Sequence, residues 1–400
     1  MAEPAGGHQS RLIFADNLRS ALVILVVLHH IALIYGGVAP FYYVEPQPFG
    51  TSAFRILLVF VLTNQAWFMG ALFLLSGYFT PSSCNRKGSI RFVKERLWRL
   101  GIPLLVFFFI LNPLSSLGLH LMPAAAGRSA PPLDWSSYPE LIGLGPMWFV
   151  LMLIVFDLGY AGWRTLPVKD PPTFGRLQST GGIFLTTGAV ILALASSSFL
   201  IRMWIPIGKA VLGFPTLSYF PQYLAFFLIG IAAARTDTSW KLSPHAGLAG
   251  LCLAAAATVL LFPLAISGRL FSLQLGPQLT LALGNGHWQS AAYALWDSAF
   301  AVGLCLGLIA GFQRLVNRSG PFGQFLHGQS FTVYVIHTPV IVLLAWFLQP
   351  VQLGPLTKFG FASCVMVPTC FGAAYLLNQI YAGIRAIRSG TARTESKHLS

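Results

Sequence analysis

Charge is what this chain has least of. Only 9% of its 400 residues are Asp, Glu, Lys or Arg, against about 25% in an ordinary soluble domain. So little charged surface excludes a soluble globule of this size. Acidic residues are scarcer still, 11 against 25 basic ones, which leaves a net charge of +14. That balance alone would suit nucleic acid, but the basic residues fall in short clusters between apolar runs, with no aromatic-interleaved basic surface to track a phosphate backbone. Five cysteines, Cys84, Cys252, Cys305, Cys364 and Cys370, show no paired CxxC spacing, so neither a zinc site nor a redox dithiol is expected. Nine histidines include no HExxH and no carboxylate-histidine pattern at ligand spacing, and no metal is expected. No internal repeat is visible.

What the chain has in quantity is hydrophobic length. Hydrophobic residues make up 55% and the mean hydropathy is +0.69. A spanning helix needs about 20 mostly apolar residues. Runs of that kind lie at 18–38, 56–79, 101–120, 141–160, 181–201, 219–234, 246–267, 291–312, 332–348 and 359–381. The first is longer than a signal-peptide core and lacks a small-residue cleavage pattern, so it is read as a span. With the N-terminus inside, 19 of the 25 Lys and Arg residues fall in inner segments. The other six, Arg55, Arg128, Arg202, Lys209, Arg269 and Lys358, fall outside, which is the asymmetry that retained cytoplasmic loops produce. The expected fold is therefore an all-α polytopic transmembrane helical bundle of about ten spans with both termini cytoplasmic. Residues 1–10 and 385–400 are read as tails and 11–384 as one membrane domain.

Ionisable groups at membrane depth are costly unless they face a protein interior or water, and by default they mark function. The first span carries two, His29 and His30. Arg19 lies eleven residues before His30, close to three whole turns, so the two share a helix face and stand roughly 16 Å apart along the axis. That separation suits one long ligand held at both ends, an anionic head at Arg19 and a reacting atom at His30. Asp16 opens the same helix. Arg96 and Arg99, three apart before Pro103, would grip a phosphate if aimed at one spot, and would otherwise anchor a span end. Asp297 lies mid-span, where it either reacts or pairs with a neighbouring helix. His337 follows Tyr334 by three residues and precedes Pro339, so its ring is placed to bond a carbonyl that the proline frees. Ser76 beside Gly77 suits close helix packing, and becomes a nucleophile only if a base adjoins it. Adjacent His29 and His30 diverge by about 100° around the helix, and a local distortion would decide between them.

These motifs together resemble a known family. DNLRSALVILVVLHH, with Arg19, ten intervening residues and His30, resembles the R-X10-H signature of the acyltransferase 3 family of integral membrane acyltransferases. Arg96-Leu-Trp-Arg99 before Pro103 is similar to that family's RxxR motif, LFLLSGYF to its helix-two ending, MWFVLMLI to its tryptophan-phenylalanine segment and TVYVIHTPVIV to its late tyrosine-histidine-proline stretch. HHIALIYGG and LWDSAFAVGLCLGL resemble the branch containing the periplasmic glucan succinyltransferase of Gram-negative bacteria. The resemblance runs from about residue 11 to residue 381. It implies a multi-pass protein of the bacterial inner membrane that moves an acetyl or succinyl group from cytoplasmic acyl-coenzyme A to a hydroxyl of a carbohydrate or other acceptor. His30 would be the base, with Asp297 as the branch's carboxylate after tryptophan. Arg19, Arg96 and Arg99 would hold the donor's phosphates. A different class stays open beside it, a proton-coupled transporter with His30, His337 and Asp297 as a relay.

Overall fold

The computed structural model describes residues 12–45, 47–123, 126, 130–166, 180–235, 242–272 and 278–398. The segment 1–10 and the cations Arg11, Arg128, Lys169, Arg176 and Lys241 lie outside them. Away from water, an apolar run satisfies its backbone only by pairing each N–H within its own segment, so it coils. Ten helical stretches here are long and apolar enough to cross a bilayer, and no β-strand occurs among the described residues. The helices are α1 Ile13–Gly36, α2 Ser52–Gln65, α3 Phe68–Lys87, α4 Ser89–Leu119, α5 Trp148–Trp163, α6 Thr180–Trp204, α7 Phe220–Arg235, α8 Pro244–Ser267, α9 Trp288–Leu315, α10 Pro321–Phe347 and α11 Pro355–His398. The chain is thus an all-α bundle of ten spans. Helix α11 carries on through most of the expected C-terminal tail, to His398.

Local chemistry explains where several helices begin and end. Thr51 caps α2 by accepting the Phe54 amide at 3.3 Å, and Ser243 caps α8 by accepting that of Ala246 at 3.1 Å. Gly37 ends α1 in the left-handed region at φ 61°, with its amide on the Leu33 carbonyl.

Two spans are less regular than their hydropathy. The second span breaks at Ala66 and Trp67 into α2 and α3. Gln222 of α7 holds the break open by donating to the Ala66 carbonyl at 2.7 Å. Helix α4 widens into π turns at Leu97–Gly101 and Phe107–Leu111. Each precedes a proline, Pro103 or Pro113, which offers no N–H to the carbonyl four residues back. One of those carbonyls, Phe109, accepts the Tyr138 hydroxyl at 2.6 Å.

Small residues let helices touch backbone to backbone. A Cβ on Gly77 of α3 would stand 2.1 Å from the Phe227 carbonyl oxygen, and one on Gly230 of α7 2.2 Å from that of Leu74. Gly250 of α8 and Gly303 of α9 make the same close approach. Helix α1 runs through the middle, packed on α2, α3, α9, α10 and α11 with most of its residues buried. Whatever α1 carries is therefore held from several sides.

Candidate active site

Position on α1 brings His29 and His30 to one chamber. Its volume is about 800 Å³, and it lies at the end of the bundle where α1 stops and the 37–51 loop begins. Both histidines line it, with Tyr334 of α10 and Phe68 of α3. His29 stacks on Phe68 at 5.1 Å between ring centroids and is buried, with no partner for Nδ1. His30 is the less buried of the two, and its Nδ1 lies 2.8 Å from the Val26 carbonyl one turn back. A carbonyl accepts only, so Nδ1 carries the proton and Nε2 is left as the ring's basic lone pair.

Behind His30 stands His337, with ring centroids 4.9 Å apart. Its Nδ1 donates to the Tyr334 carbonyl at 2.8 Å, so it holds the same tautomer. Pro339 frees the carbonyl four residues back, that of Val335, so the expected bond to a proline-freed carbonyl is not the one His337 makes. Phe41 covers the other side of His30 at 5.1 Å. Tyr334 spends its hydroxyl on the Pro146 carbonyl, and Tyr42 gives its own to Asn112. Burial raises the Tyr42 pKa above the ordinary phenol value, so it stays a neutral donor.

The arginines gather at the opposite end of α1. Arg96 and Arg99 lie within charge-charge reach of Arg19. Arg19 has Asp16 at 3.6 Å and the Phe79 ring at 5.4 Å. Arg96 Nε stands 3.1 Å from Asp157 Oδ2, a close charge contact without hydrogen-bond alignment. Arg99, carried round by the π turn, is exposed. Three guanidiniums therefore face two carboxylates, Asp16 and Asp157, which leaves positive charge for an anion. None of the three lines the chamber, whose wall reaches down α1 only to Val26.

The remaining candidates sit elsewhere. Asp297 is buried on α9 and takes Arg202 of α6 at 2.6 Å, outside the chamber wall. Ser76 donates to the Leu72 carbonyl at 2.8 Å, while Gly77 next to it makes the close helix contact. Asp16 also meets His327 at 3.5 Å.

Three residues of consequence carry no local sign in the sequence. Arg202, expected at an outer span end, is fully buried with the Tyr219 ring 4.6 Å from its guanidinium. Asp157, near one end of α5, is buried and also accepts Thr80 at 3.0 Å. Lys358, another cation expected outside, is buried against Glu45 at 2.8 Å and so ties the 37–51 loop to α11. Hydropathy places each of these at or near a span end, and only a partner far along the chain makes it a buried ion pair.

Residues 12–375 match the family model described as an acyltransferase domain. No curated protein matches the chain.

Proposed function

This chain belongs to the acyltransferase 3 family, and from that premise we propose that it transfers an acyl group from acyl-coenzyme A to an acceptor hydroxyl, with His30 as general base. One observation carries the reading: a single central helix presents a cationic cluster at one end and, about three turns away, an imidazole with a free Nε2 on the wall of a chamber. The donor's phosphates pair with Arg19, Arg96 and Arg99 on the cytoplasmic side, which the basic asymmetry of the loops supports. The thin pantetheine arm runs along α1 past Leu22 and Val23, and the thioester arrives at His30. In the chamber the acceptor oxygen attacks the thioester carbonyl as His30 Nε2 takes its proton. The tetrahedral intermediate then collapses, the C–S bond breaks, and the imidazolium returns the proton to the departing thiolate. A neutral imidazole with a free ring nitrogen can take a proton and give it back, which suits both transfers. The acyl group is of the acetyl or succinyl class and the membrane is a bacterial inner membrane; both follow the family resemblance.

The test is labelled acetyl- or succinyl-coenzyme A turnover by purified protein. His30→Ala should lower it by about 10²–10⁴-fold, the usual contribution of a positioned base. Unchanged turnover in that variant would remove His30 from the mechanism. The transporter reading loses one relay member on geometry, since Asp297 is engaged by Arg202.

A further inference from the structure

A chamber selects its occupant by what it forces to lose water. Among the described residues that line this one there is no Asp, Glu, Lys or Arg. An acceptor bearing carboxylate or phosphate would shed its hydration there and meet no cation in exchange. Most of the polar side chains on the wall are already engaged. Ser116 gives its hydroxyl to the Asn112 carbonyl at 2.9 Å, Gln65 donates to the Tyr223 hydroxyl at 3.1 Å, and Tyr334 and Tyr42 are spent as described above. Atoms left without a partner include Thr216 Oγ1, Ser218 Oγ, on a side chain 1% exposed, and His29 Nδ1. A few vacant partners beside His30 satisfy one or two hydroxyls; a sugar ring brings more, and each one buried without a partner weakens binding. The rest of the surface is apolar and aromatic, with Phe41, Phe49, Phe54, Phe68, Trp148 and Tyr219 around the space. A volume of about 800 Å³ is that of a site for a molecule of cofactor or drug size.

We propose that the chamber takes a neutral, predominantly apolar alcohol, with the reacting hydroxyl at His30 and a second polar group at Ser218, and that it rejects anionic and polyhydroxylated acceptors. Assigning the occupant as acceptor rests on the acyl-transfer reading above. It narrows the acceptor away from the carbohydrate that the family resemblance implies. The same apolar chemistry could come from a long acyl chain on the donor, so the experiment separates the two.

Binding is read first, by equilibrium dialysis on the full chain in phosphatidylcholine nanodiscs with empty discs subtracted. The probes are radiolabelled 1-octanol, 8-hydroxyoctanoate and methyl α-glucoside. The expected result is saturable binding of 1-octanol, with the other two at least tenfold weaker. Ala39→Trp, which pushes an indole into the chamber from its wall, should abolish the octanol signal. Ala210→Lys, an exposed wall position where a lysine is easily accommodated, should raise 8-hydroxyoctanoate binding at least tenfold. Glucoside or hydroxyoctanoate binding as tightly as octanol in the wild type would overturn the proposal. So would displacement of octanol by octanoyl-coenzyme A but not by acetyl-coenzyme A, because the chamber would then hold the donor's chain. Turnover is read separately: octanol binding without any acyl-coenzyme A consumption would sink the acyltransferase reading, and with it the acceptor role, while the measured selectivity of the wall would remain.

Discussion

Two imidazoles 4.9 Å apart, each with Nδ1 bound to a backbone carbonyl, hold their protons in a fixed arrangement that solution would not impose. The arrangement separates the roles of the adjacent pair. His29→Phe keeps the stack on Phe68 and should retain most turnover, whereas the loss predicted for His30→Ala is about 10²–10⁴-fold. Parallel initial-rate measurements on the two variants check the assignment, and equal losses would shift it to the pair. Asp297 calls for a different experiment. Removing one partner of a buried ion pair costs about 3–5 kcal/mol, because the other charge stays buried, while replacing both with apolar residues is often neutral. Asp297→Ala should therefore lower the thermal midpoint of the purified protein sharply. The double variant Arg202→Met with Asp297→Leu should restore the midpoint and also turnover, if the carboxylate serves only to hold α6 on α9. Restored stability with no turnover would return Asp297 to the chemistry. The depth of Asp297 was legible in the sequence. Its partner was not, because Arg202 is 95 residues away and follows an apolar run, as any anchoring arginine does.

Helices show the same division between what composition dictates and what partners decide. Runs of about 20 apolar residues gave every span, because bilayer thickness leaves the chain one solution. Irregular backbone was harder to see. Pro103 and Pro113 do mark α4 as unable to keep its ladder, and the two π turns fall just before them. No Gly or Pro marks the break at Ala66 and Trp67, which depends on Gln222 arriving from α7. Three residues apart, Arg96 and Arg99 would share a face of an unbroken α-helix; across the π turn the first is half-buried and the second exposed. Ser76-Gly77 was legible as a packing pair, and the contact it makes is testable. Gly77→Val drives a side chain into the Phe227 carbonyl, where backbone cannot yield as a side chain would, so the penalty should reach or pass the roughly 3 kcal/mol upper end usual for overpacking. Gly159→Ala on α5 meets nothing within 4 Å and serves as the control. Comparable midpoints for the two would show that α3 and α7 can separate freely.

On the scale of the whole molecule, the arginine cluster and the chamber lie at opposite ends of α1, and the proposed transfer needs both ends open. Leu22 and Val23, buried between the arginines and the chamber, mark where the helices must part for a donor arm to pass. Affinity for the donor should then reside at the arginine end alone. A charge-assisted contact contributes about 1.5–3 kcal/mol, so Arg19→Ala or Arg99→Ala should raise the KM for acyl-coenzyme A roughly tenfold to a hundredfold. Acyl-pantetheine, which lacks the nucleotide phosphates, should be used equally well by variant and wild type, and a matching KM rise with that substrate would remove the arginines from phosphate binding. Orientation follows from the same geometry. Arg99 and Ala210 are both exposed at their respective ends, so cysteine at either position reports which compartment it meets. If both termini are cytoplasmic, as the basic asymmetry of the loops predicts, an impermeant maleimide applied to cells with a permeabilised outer membrane should label Ala210→Cys at once. Arg99→Cys should react only after the inner membrane is opened. Of the native thiols, Cys84, Cys305 and Cys370 are buried, and replacing the exposed Cys252 and Cys364 with alanine gives the background for the measurement. Labelling in the reverse order would put the arginine cluster on the side where no acyl-coenzyme A is made, and transfer by this route could not occur.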